Sequence, residues 1–226
     1  MDLLQNEDFL QEFLSPIIIS LKVTGIAGLL VILIGTLAGR LLARKQFRGK
    51  AMLETLLMLP MVLPPTVVGF FLIVIFGKHS IVGQAIEWFF KQPIIFTWWA
   101  AVIAAIIVSF PLMYQSAKSG FQEVNPDIEA AARMDGAGEW KVFLFISIPL
   151  AYRALIAGSV LSVARALGEF GATLMFAGNI PGKTQTIPTA IYIAIDSGNM
   201  KMAWLWVIAI MLISFLMLLV IQRKQN

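Results

Sequence analysis

The chain has 226 residues, of which 59% are hydrophobic and only 13% are charged. Soluble globular proteins average about 45–50% apolar and about 25% charged residues, so this composition predicts an integral membrane protein. The chain has no cysteine and one histidine, His79. That excludes a disulfide framework and a thiolate metal site, and it leaves little material for histidine-based catalysis.

Five segments are long and apolar enough to cross a bilayer as helices, which requires about 20 residues each. In chain order they cover approximately 17–39, 51–76, 94–117, 154–177 and 202–221. The residues before Pro16 include four acidic and no basic side chains, so we do not expect a cleaved signal peptide. The sequence predicts an all-α integral membrane protein with a transmembrane domain at 15–222, a short external segment at 1–14 and a tail at 223–226.

Lysine and arginine are distributed unequally between alternate loops. With the N-terminus outside, eleven of them fall on the inner side and four on the outer side. The positive-inside rule therefore predicts an external N-terminus and a cytoplasmic C-terminus in the plasma membrane. Topology accounts for the net charge of +4, and no nucleic-acid partner is expected. The inner residues are Arg40, Arg44, Lys45, Arg48, Lys50, Lys118, Arg133, Lys141, Arg153, Arg223 and Lys224, and the outer residues are Lys78, Lys91, Lys183 and Lys201.

The second segment contains prolines inside an apolar run. Pro64 and Pro65 remove backbone hydrogen bonds and clash with the preceding turn, so the helix is expected to kink or break near Leu63. Broken helices at membrane depth occur where they are buried or line a cavity. Pro64 and Pro65 are therefore candidates for a transport path, and the alternative is a kink that only shapes packing.

The fourth segment carries an arginine and a glutamate near its middle. Arg165 and Glu169 are four residues apart, so a helix would place them on one face, where they neutralise each other. Two interpretations stay open: an ion pair that locks the bundle or a subunit contact, and a part of the ion path or its gate. Gly168 and Gly171 flank the glutamate and would allow another backbone to approach closely.

The stretch AGNIPGKT at 177–184 ends like a phosphate-binding loop, but the position five before Gly182 is Ala177 instead of glycine. We therefore expect no nucleotide to bind this chain. The loop at 178–201 is expected outside, where it contacts an external partner or forms part of the outer mouth. IPTAIYIAI within it predicts a short interfacial or re-entrant helix, because nine residues are too few to span.

The longest predicted cytoplasmic loop, 118–153, begins with a helix start signal. The signal consists of Asn125 as N-cap, Pro126 at the first helical position, and Asp127 and Glu129 in the first turn. Gly136 is expected to end this helix, and a second short helix at about 139–145 is expected to stop at Pro149. These features fit two roles: a helix that seats in a cleft of another protein, or an amphipathic helix on the inner leaflet.

Glu129-Ala130-Ala131-Ala132, followed by Gly136 and then by Ile146 and Ile148-Pro149, resembles the EAA loop of ABC importer permeases. Two departures are small: Ile148 replaces a leucine, and the glutamate is one residue further from the glycine than in the strictest form. The resemblance implies a type-1 permease fold whose coupling helices dock into a cytoplasmic ATPase. It assigns to this loop Glu129, Ala130, Ala131, Ala132, Gly136, Ala137, Gly138, Ile146 and Pro149.

Three further stretches, LPMVLPPTVVGF, ARALGEFGATLMFAGN and NIPGKTQTIPTAIY, resemble the permeases of molybdate importers. GEFGA is shared with sulfate/thiosulfate permeases, whereas the third stretch is closer to the molybdate branch. The resemblance implies a non-catalytic homodimer without a cofactor, a pair of ATPase subunits that bind ATP and Mg, and an external binding protein that delivers molybdate or tungstate. A sulfate/thiosulfate permease and a secondary transporter remain the alternatives.

Overall fold

The structure, a computed structural model, describes the backbone of residues 2–225 and the side chains of residues 9–219. Over that part of the chain every regular element is helical. The predicted tail at 223–226 lies outside the residues whose side chains are described. The α-helices are α1 (Asp2–Ala43), α2 (Lys50–Val62), α3 (Pro65–Phe76), α4 (Ile81–Phe90), α5 (Trp98–Glu123), α6 (Pro126–Met134), α7 (Glu139–Val142), α8 (Ile148–Leu150), α9 (Tyr152–Leu167), α10 (Gly171–Ala177), α11 (Ile187–Asp196) and α12 (Met200–Gln225), with a π-helical turn at Phe143–Ser147 between α7 and α8.

Three helices in the described residues are each long and apolar enough to cross a membrane: α1 over Phe9–Ala43, α5, and α12 over Met200–Leu219. Two bent pairs raise the number to five if each pair is one span. The first pair, α2 with α3, bends by 117°, and the second, Glu139–Leu150 with α9, bends by 77°. The predicted all-α membrane class is confirmed, with three to five candidate spans, and the orientation stays a prediction.

The centre of the bundle is α5, which packs against α1 and α9. Its first turns are lined by fully buried alanines such as Ala100 and Ala104. A methyl group at Gly39 of α1 would lie only 2.7 Å from the Cβ of Ala117, and one at Gly120 would lie 2.5 Å from the Cβ of Ala154. Small residues therefore bring these helices together at backbone distance, as in other membrane bundles.

The predicted fourth span is not one continuous helix. Helix α9 ends at Leu167 and α10 begins at Gly171, so 168–170 form a break. Glycines at both edges of this break lack a side chain that would favour continued helix. The Glu169 carboxylate accepts a hydrogen bond from the backbone N–H of Ala172, which favours a new helix start.

The second helix of the predicted cytoplasmic loop is longer than the sequence predicts. Instead of stopping before Pro149, the helical path continues to Leu150. The π-helical turn ends at Ser147, two residues before the proline, and the N–H of Ile148 bonds to the carbonyl of Phe143. This wider turn accommodates a proline ring that clashes with the carbonyl four residues earlier in a regular α-helix. The expected short helix in IPTAIYIAI is confirmed as α11.

Candidate functional site

Two broken helices meet inside the bundle. The break between α2 and α3 falls at Leu63 and Pro64, which both have extended backbone, as the prolines predict. A methyl group at Gly171, the first residue of α10, would lie 2.9 Å from the Cβ of Pro65, the first residue of α3. The structure thus brings together two path candidates that are more than 100 residues apart in the sequence.

The contact between α3 and α10 continues beyond their first residues. A methyl group at Gly69 would lie 2.6 Å from the Cβ of Met175 and 3.1 Å from the Cα of Ala172. The two short helices therefore pack backbone against backbone for a full turn or more. Each helix begins at a break, so their relative position is set by this contact and by the polar groups at the breaks.

Arg165 and Glu169 form an ion pair at one of these breaks. Nη1 of Arg165 lies 2.7 Å from Oε2 of Glu169. The pair does not lie on one helical face as predicted, because α9 ends at Leu167 and the pair bridges the helix end to the break. The Glu169 side chain is only 2% exposed, and its other oxygen, Oε1, accepts the bond from the N–H of Ala172 at 2.9 Å. Glu169 therefore holds the break in place.

Arg165 is less enclosed than its partner, with 34% of its side chain exposed. A guanidinium has five N–H donors, and one carboxylate leaves several of them for other acceptors. Arg165 is thus a charged donor group beside the break between α9 and α10. The contacts of Glu169 fit a lock, whereas the two predicted interpretations of the pair stay open. Gly168 lies between the two residues as the C-cap of α9.

The first helix of the predicted coupling loop begins and ends where the sequence predicts. Oδ1 of Asn125 accepts a hydrogen bond from the N–H of Asp127 at 2.9 Å. Gly136 has φ +87°, and the N–H groups of Gly136 and Ala137 bond to the carbonyls of Arg133 and Ala132 at 3.0 Å each. This pattern is a Schellman motif, which requires the left-handed conformation that glycine adopts without steric cost.

The loop exposes large apolar side chains at the predicted cytoplasmic end. Met134 is 88% exposed and Trp140 is 70% exposed, on the two sides of the turn at Gly136 to Gly138. Ala130 and Ala131 are also exposed on α6. Exposed apolar side chains of this size fit both predicted roles of the loop, a surface covered by a partner protein and one that lies on the inner leaflet. We call Ala130, Ala131, Met134 and Trp140 the exposed loop face.

Other residues assigned to the loop by resemblance support this face. Gly138 is the N-cap of α7, and its carbonyl accepts hydrogen bonds from the N–H groups of Lys141 and Val142. Ala132, Ala137 and Ile146 are half-buried, whereas Pro149 is exposed. These five positions lie at the turn or between the loop and the bundle.

Glu129 does not belong to the exposed loop face. Its residue is 1% exposed, and Ser147 donates a hydrogen bond to Oε1 at 2.7 Å. Arg40 donates to Oε1 at 2.8 Å, and Arg44 donates to Oε2 at 3.0 Å. Burial alone would raise the pKa of Glu129, but the hydrogen bonds from Arg40 and Ser147 and the charges of both arginines outweigh it and lower the pKa below the usual value. Glu129 is therefore a buried carboxylate in its charged form.

Arg40, Arg44 and Ser147 are functional candidates that the sequence reasoning missed. A signal was present, because Arg40 and Arg44 are spaced four residues apart at the end of the first apolar segment and so share a helix face. Their contact with Glu129, which is 89 residues from Arg40 and 85 residues from Arg44, is a tertiary property that this spacing does not reveal.

The stretch at 177–184, which resembles a phosphate-binding loop, closes on itself. The N–H groups of Lys183, Thr184 and Gln185 all point to the carbonyl of Ile180, at 3.0, 2.9 and 3.1 Å. A phosphate-binding loop instead directs its N–H groups at the anion. The backbone of this turn is thus engaged within the turn.

Similar bacterial proteins are named as permeases of molybdenum or sulfate transport systems. The chain is 64% identical, over all 226 residues and all of the relative, to "Putative molybdenum transport system permease protein YvgM" of Bacillus subtilis. It is 43% identical over 198 residues to "Molybdenum transport system permease protein ModB" of Escherichia coli, covering 87% of this chain and 86% of that protein. "Sulfate transport system permease protein CysW" of Synechococcus elongatus is 37% identical over 69% of this chain and 54% of that protein.

Two solved structures share the fold at 15% sequence identity. A chain of a bacterial alginate ABC transporter in complex with a periplasmic protein matches with a TM-score of 0.75, over 95% of this chain and 78% of that chain. A chain of the MetNI methionine ABC transporter matches with a TM-score of 0.70, over 96% of each chain. Residues 31–224 match the model of the family described as binding-protein-dependent transport system inner membrane component. The chain therefore belongs to this family of ABC importer permeases, which are multi-pass proteins of the membrane.

Proposed function

We propose that this chain is the permease subunit of an ATP-driven importer of molybdate, with tungstate as a second substrate. The observation that carries the proposal is the 64% identity, over the whole length of both chains, to a relative named as a molybdenum permease. The sulfate permease named above is less similar, and its match with this chain covers little more than half of the sulfate permease. A sulfate/thiosulfate permease is therefore the second candidate, and the shared GEFGA stretch keeps it under test.

Two copies of this chain form the membrane part in this proposal. A pair of cytoplasmic ATPase subunits, which bind ATP and Mg, docks on the exposed loop faces, and an external binding protein delivers the oxyanion to the opposite end. The permease contributes no catalytic residue to ATP hydrolysis and binds no cofactor itself. The large exposed side chains of Met134 and Trp140 support a partner at this loop.

Helix α9 gives the loop a direct route to the helix breaks. It begins one residue after α8 and ends at Leu167, beside Gly168 and the Arg165–Glu169 ion pair. A helix of 16 residues is about 24 Å long. A push on the loop would tilt this rod and displace its far end, where α10 and α3 begin. In the proposed mechanism, this displacement opens the path alternately to the two sides.

The transported oxyanion, molybdate, needs only a transient contact along this path, because the external binding protein selects it. Arg165 is the residue that we assign to this contact, with its partly exposed guanidinium beside the break between α9 and α10. Glu169 and Gly171 keep α10 in position, and Pro64 and Pro65 define the opposing break. The weak, shared contact of a guanidinium suits release as well as entry.

Purification in mild detergent followed by uptake measurements tests the proposal. We expect an ATPase to copurify as a pair with two copies of this chain, and vesicles containing the complex, ATP and the loaded binding protein to accumulate molybdate. Excess tungstate should compete with molybdate, whereas the same excess of sulfate should not. Uptake without an ATPase would support a secondary transporter, competition by sulfate would favour the second candidate, and one permease copy per ATPase pair would contradict the homodimer.

A further inference from the structure

A buried ionic cluster joins the end of α1 to the coupling loop. Its centre is the Glu129 carboxylate on α6, and its donors are Arg40 of α1, Arg44 directly after the end of α1, and Ser147 of the π-helical turn. Arg133, one turn further along α6, lies 3.6 Å from Oε2. We call Arg40, Arg44, Glu129 and Ser147 the loop cluster.

Both arginines of the loop cluster have a second contact on α5 or its end. Nη2 of Arg44 donates a hydrogen bond to the carbonyl of Val124, the residue that connects α5 to α6. The guanidinium of Arg40 lies over the ring of Phe121, 5.7 Å from its centroid, which is a cation–π distance. Gln122 adds a hydrogen bond to the carbonyl of Ala43 at 3.0 Å. The end of α1 is therefore fastened both to the loop and to the point where the loop begins.

The register of the glutamate explains why it faces inward. Seven positions separate Glu129 from Gly136, one more than in the strictest form of the loop pattern, and Ala130 occupies the strict position. One residue corresponds to about 100° around a helix. Ala130 is accordingly exposed, and Glu129 points into the permease. In this chain the glutamate is directed at α1 instead of at the surface that a partner covers.

We propose that Glu129 is a positioning residue that makes the end of α1 move together with the coupling loop. This inference rests on the proposed function, in which an ATPase moves the loop. The loop is covalently continuous with α5 on one side and with α9 on the other, and the loop cluster adds α1 as a third element. A carboxylate that is enclosed and paired at this density transmits displacement, because separating it from its arginines leaves a buried charge unpaired.

The test uses Glu129→Gln, which keeps the shape and removes the charge, in the assembled complex with the ATPase and binding protein. We expect the ATPase to copurify in normal amount and to hydrolyse ATP, while molybdate taken up per ATP falls about 5-fold or more, the low end of typical coupling effects. Glu123→Gln, the same change at an exposed carboxylate at the end of α5, is the matched control and should leave this ratio unchanged. An unchanged ratio in Glu129→Gln overturns the proposal.

A spectroscopic measurement separates positioning from a general loss of stability. The chain has no cysteine, so spin labels can be attached at Leu41→Cys on α1 and Asp127→Cys on α6. We expect the distance between the labels to stay the same in the nucleotide-free and ATP-trapped complexes, and to differ between these states when Glu129→Gln is added. A distance that differs between the states without Glu129→Gln overturns the proposal, as does one that stays constant with it.

A second variant keeps the proposal testable where Glu129→Gln does not assemble. Arg44→Lys keeps the positive charge but provides one ammonium in place of the two arms that reach Glu129 and Val124. We expect the molybdate taken up per ATP to fall in this variant as well, and an unchanged ratio contradicts the inference. If no ATPase copurifies with the unmodified chain, the proposed function itself fails. That failure is distinct from a failure of the inference about the loop cluster, which concerns only the variants.

Discussion

The contact between α3 and α10 makes a quantitative prediction for glycine-to-alanine substitutions. Gly69→Ala places a methyl group 2.6 Å from the Cβ of Met175 and 3.1 Å from the Cα of Ala172. Carbon atoms in contact are about 3.5–4.0 Å apart, so the helices must separate by several tenths of an ångström to about 1 Å. Neither neighbour is the flexible end of a side chain, and overpacking of this kind costs about 1–3 kcal/mol.

Gly25→Ala is the matched control, because a methyl group at Gly25 of α1 has no atom within 4 Å. Both substitutions occur within helices and gain the same helix propensity, up to about 1 kcal/mol. The difference between the two variants therefore isolates the overpacking cost of about 1–3 kcal/mol. Gly171→Ala, with its methyl group 2.9 Å from the Cβ of Pro65, is expected to lie between them.

Thermal unfolding of the purified variants in the same detergent measures this difference. For a chain of this size, each kcal/mol of lost stability lowers the unfolding midpoint by roughly 2–4 °C. The midpoint of Gly69→Ala should therefore fall below that of Gly25→Ala by at least a few degrees. Molybdate uptake should fall in parallel, since the two helix breaks are displaced. If both variants unfold at the same temperature, the close contact of α3 with α10 is refuted, together with the meeting of the two breaks.

Three further predictions concern the coupling loop. Gly136→Ala should lower the free energy of unfolding by about 1–2 kcal/mol, because φ +87° is unfavourable for alanine, and Gly138→Ala, at φ −70° with open space around it, serves as the control. A bulky residue at Gly136 should uncouple ATP hydrolysis from uptake, and wild-type uptake in such a variant contradicts the coupling role. Trp140→Ser should leave membrane insertion intact but weaken ATPase binding by on the order of 2 kcal/mol, about 30-fold, and undiminished copurification of the ATPase at low concentration would exclude Trp140 from the interface. Because folding lowers the pKa of Glu129, its ionised form stabilises the fold above the unfolded pKa of about 4.3, and this stability is lost as the pH falls through the folded pKa. The difference in unfolding free energy between wild type and Glu129→Gln should therefore be constant at pH 6–8 and shrink below about pH 4. A decline of this difference already between pH 8 and 6 would argue against the ionised state of Glu129.

Local rules account for what could be predicted from the sequence. The ends of α6 follow from the capping residue Asn125 and the glycine Gly136, and the break at Leu63 follows from two adjacent prolines. Each of these effects acts within one or two helical turns, so a single sequence contains the information. Hydropathy likewise located the apolar segments, because membrane solvent imposes one requirement on every span.

Long-range geometry accounts for what could not be predicted. The pairing of Pro65 with Gly171, and of Glu129 with Arg40, joins residues from distant segments, which spacing along one helix does not reveal. Hydropathy predicts one continuous fourth segment, because it contains no information on hydrogen bonds such as the one that the Glu169 carboxylate accepts from the N–H of Ala172 at the start of a new helix. The direction of the Glu129 side chain could be inferred only in part. Glu129 is one residue further from Gly136 than in the strictest loop pattern, which indicates a different face of the helix but does not identify Arg40 as the partner.

Carboxylates join separate helices at several places in the described part of the chain. Glu54 of α2 lies 2.7 Å from Nζ of Lys118 on α5, Glu129 binds Arg40 of α1, and Glu169 connects the end of α9 to the start of α10. Lipid tails are as apolar as the helix surfaces, so apolar burial alone fixes helix positions poorly in a membrane. Small-residue contacts and polar bonds must then supply the specificity. In a chain with only 13% charged residues, the placement of these carboxylates therefore decides which helices move as one body, and one of them, Glu169, lies at the end of α9, the helix between the loop and the breaks.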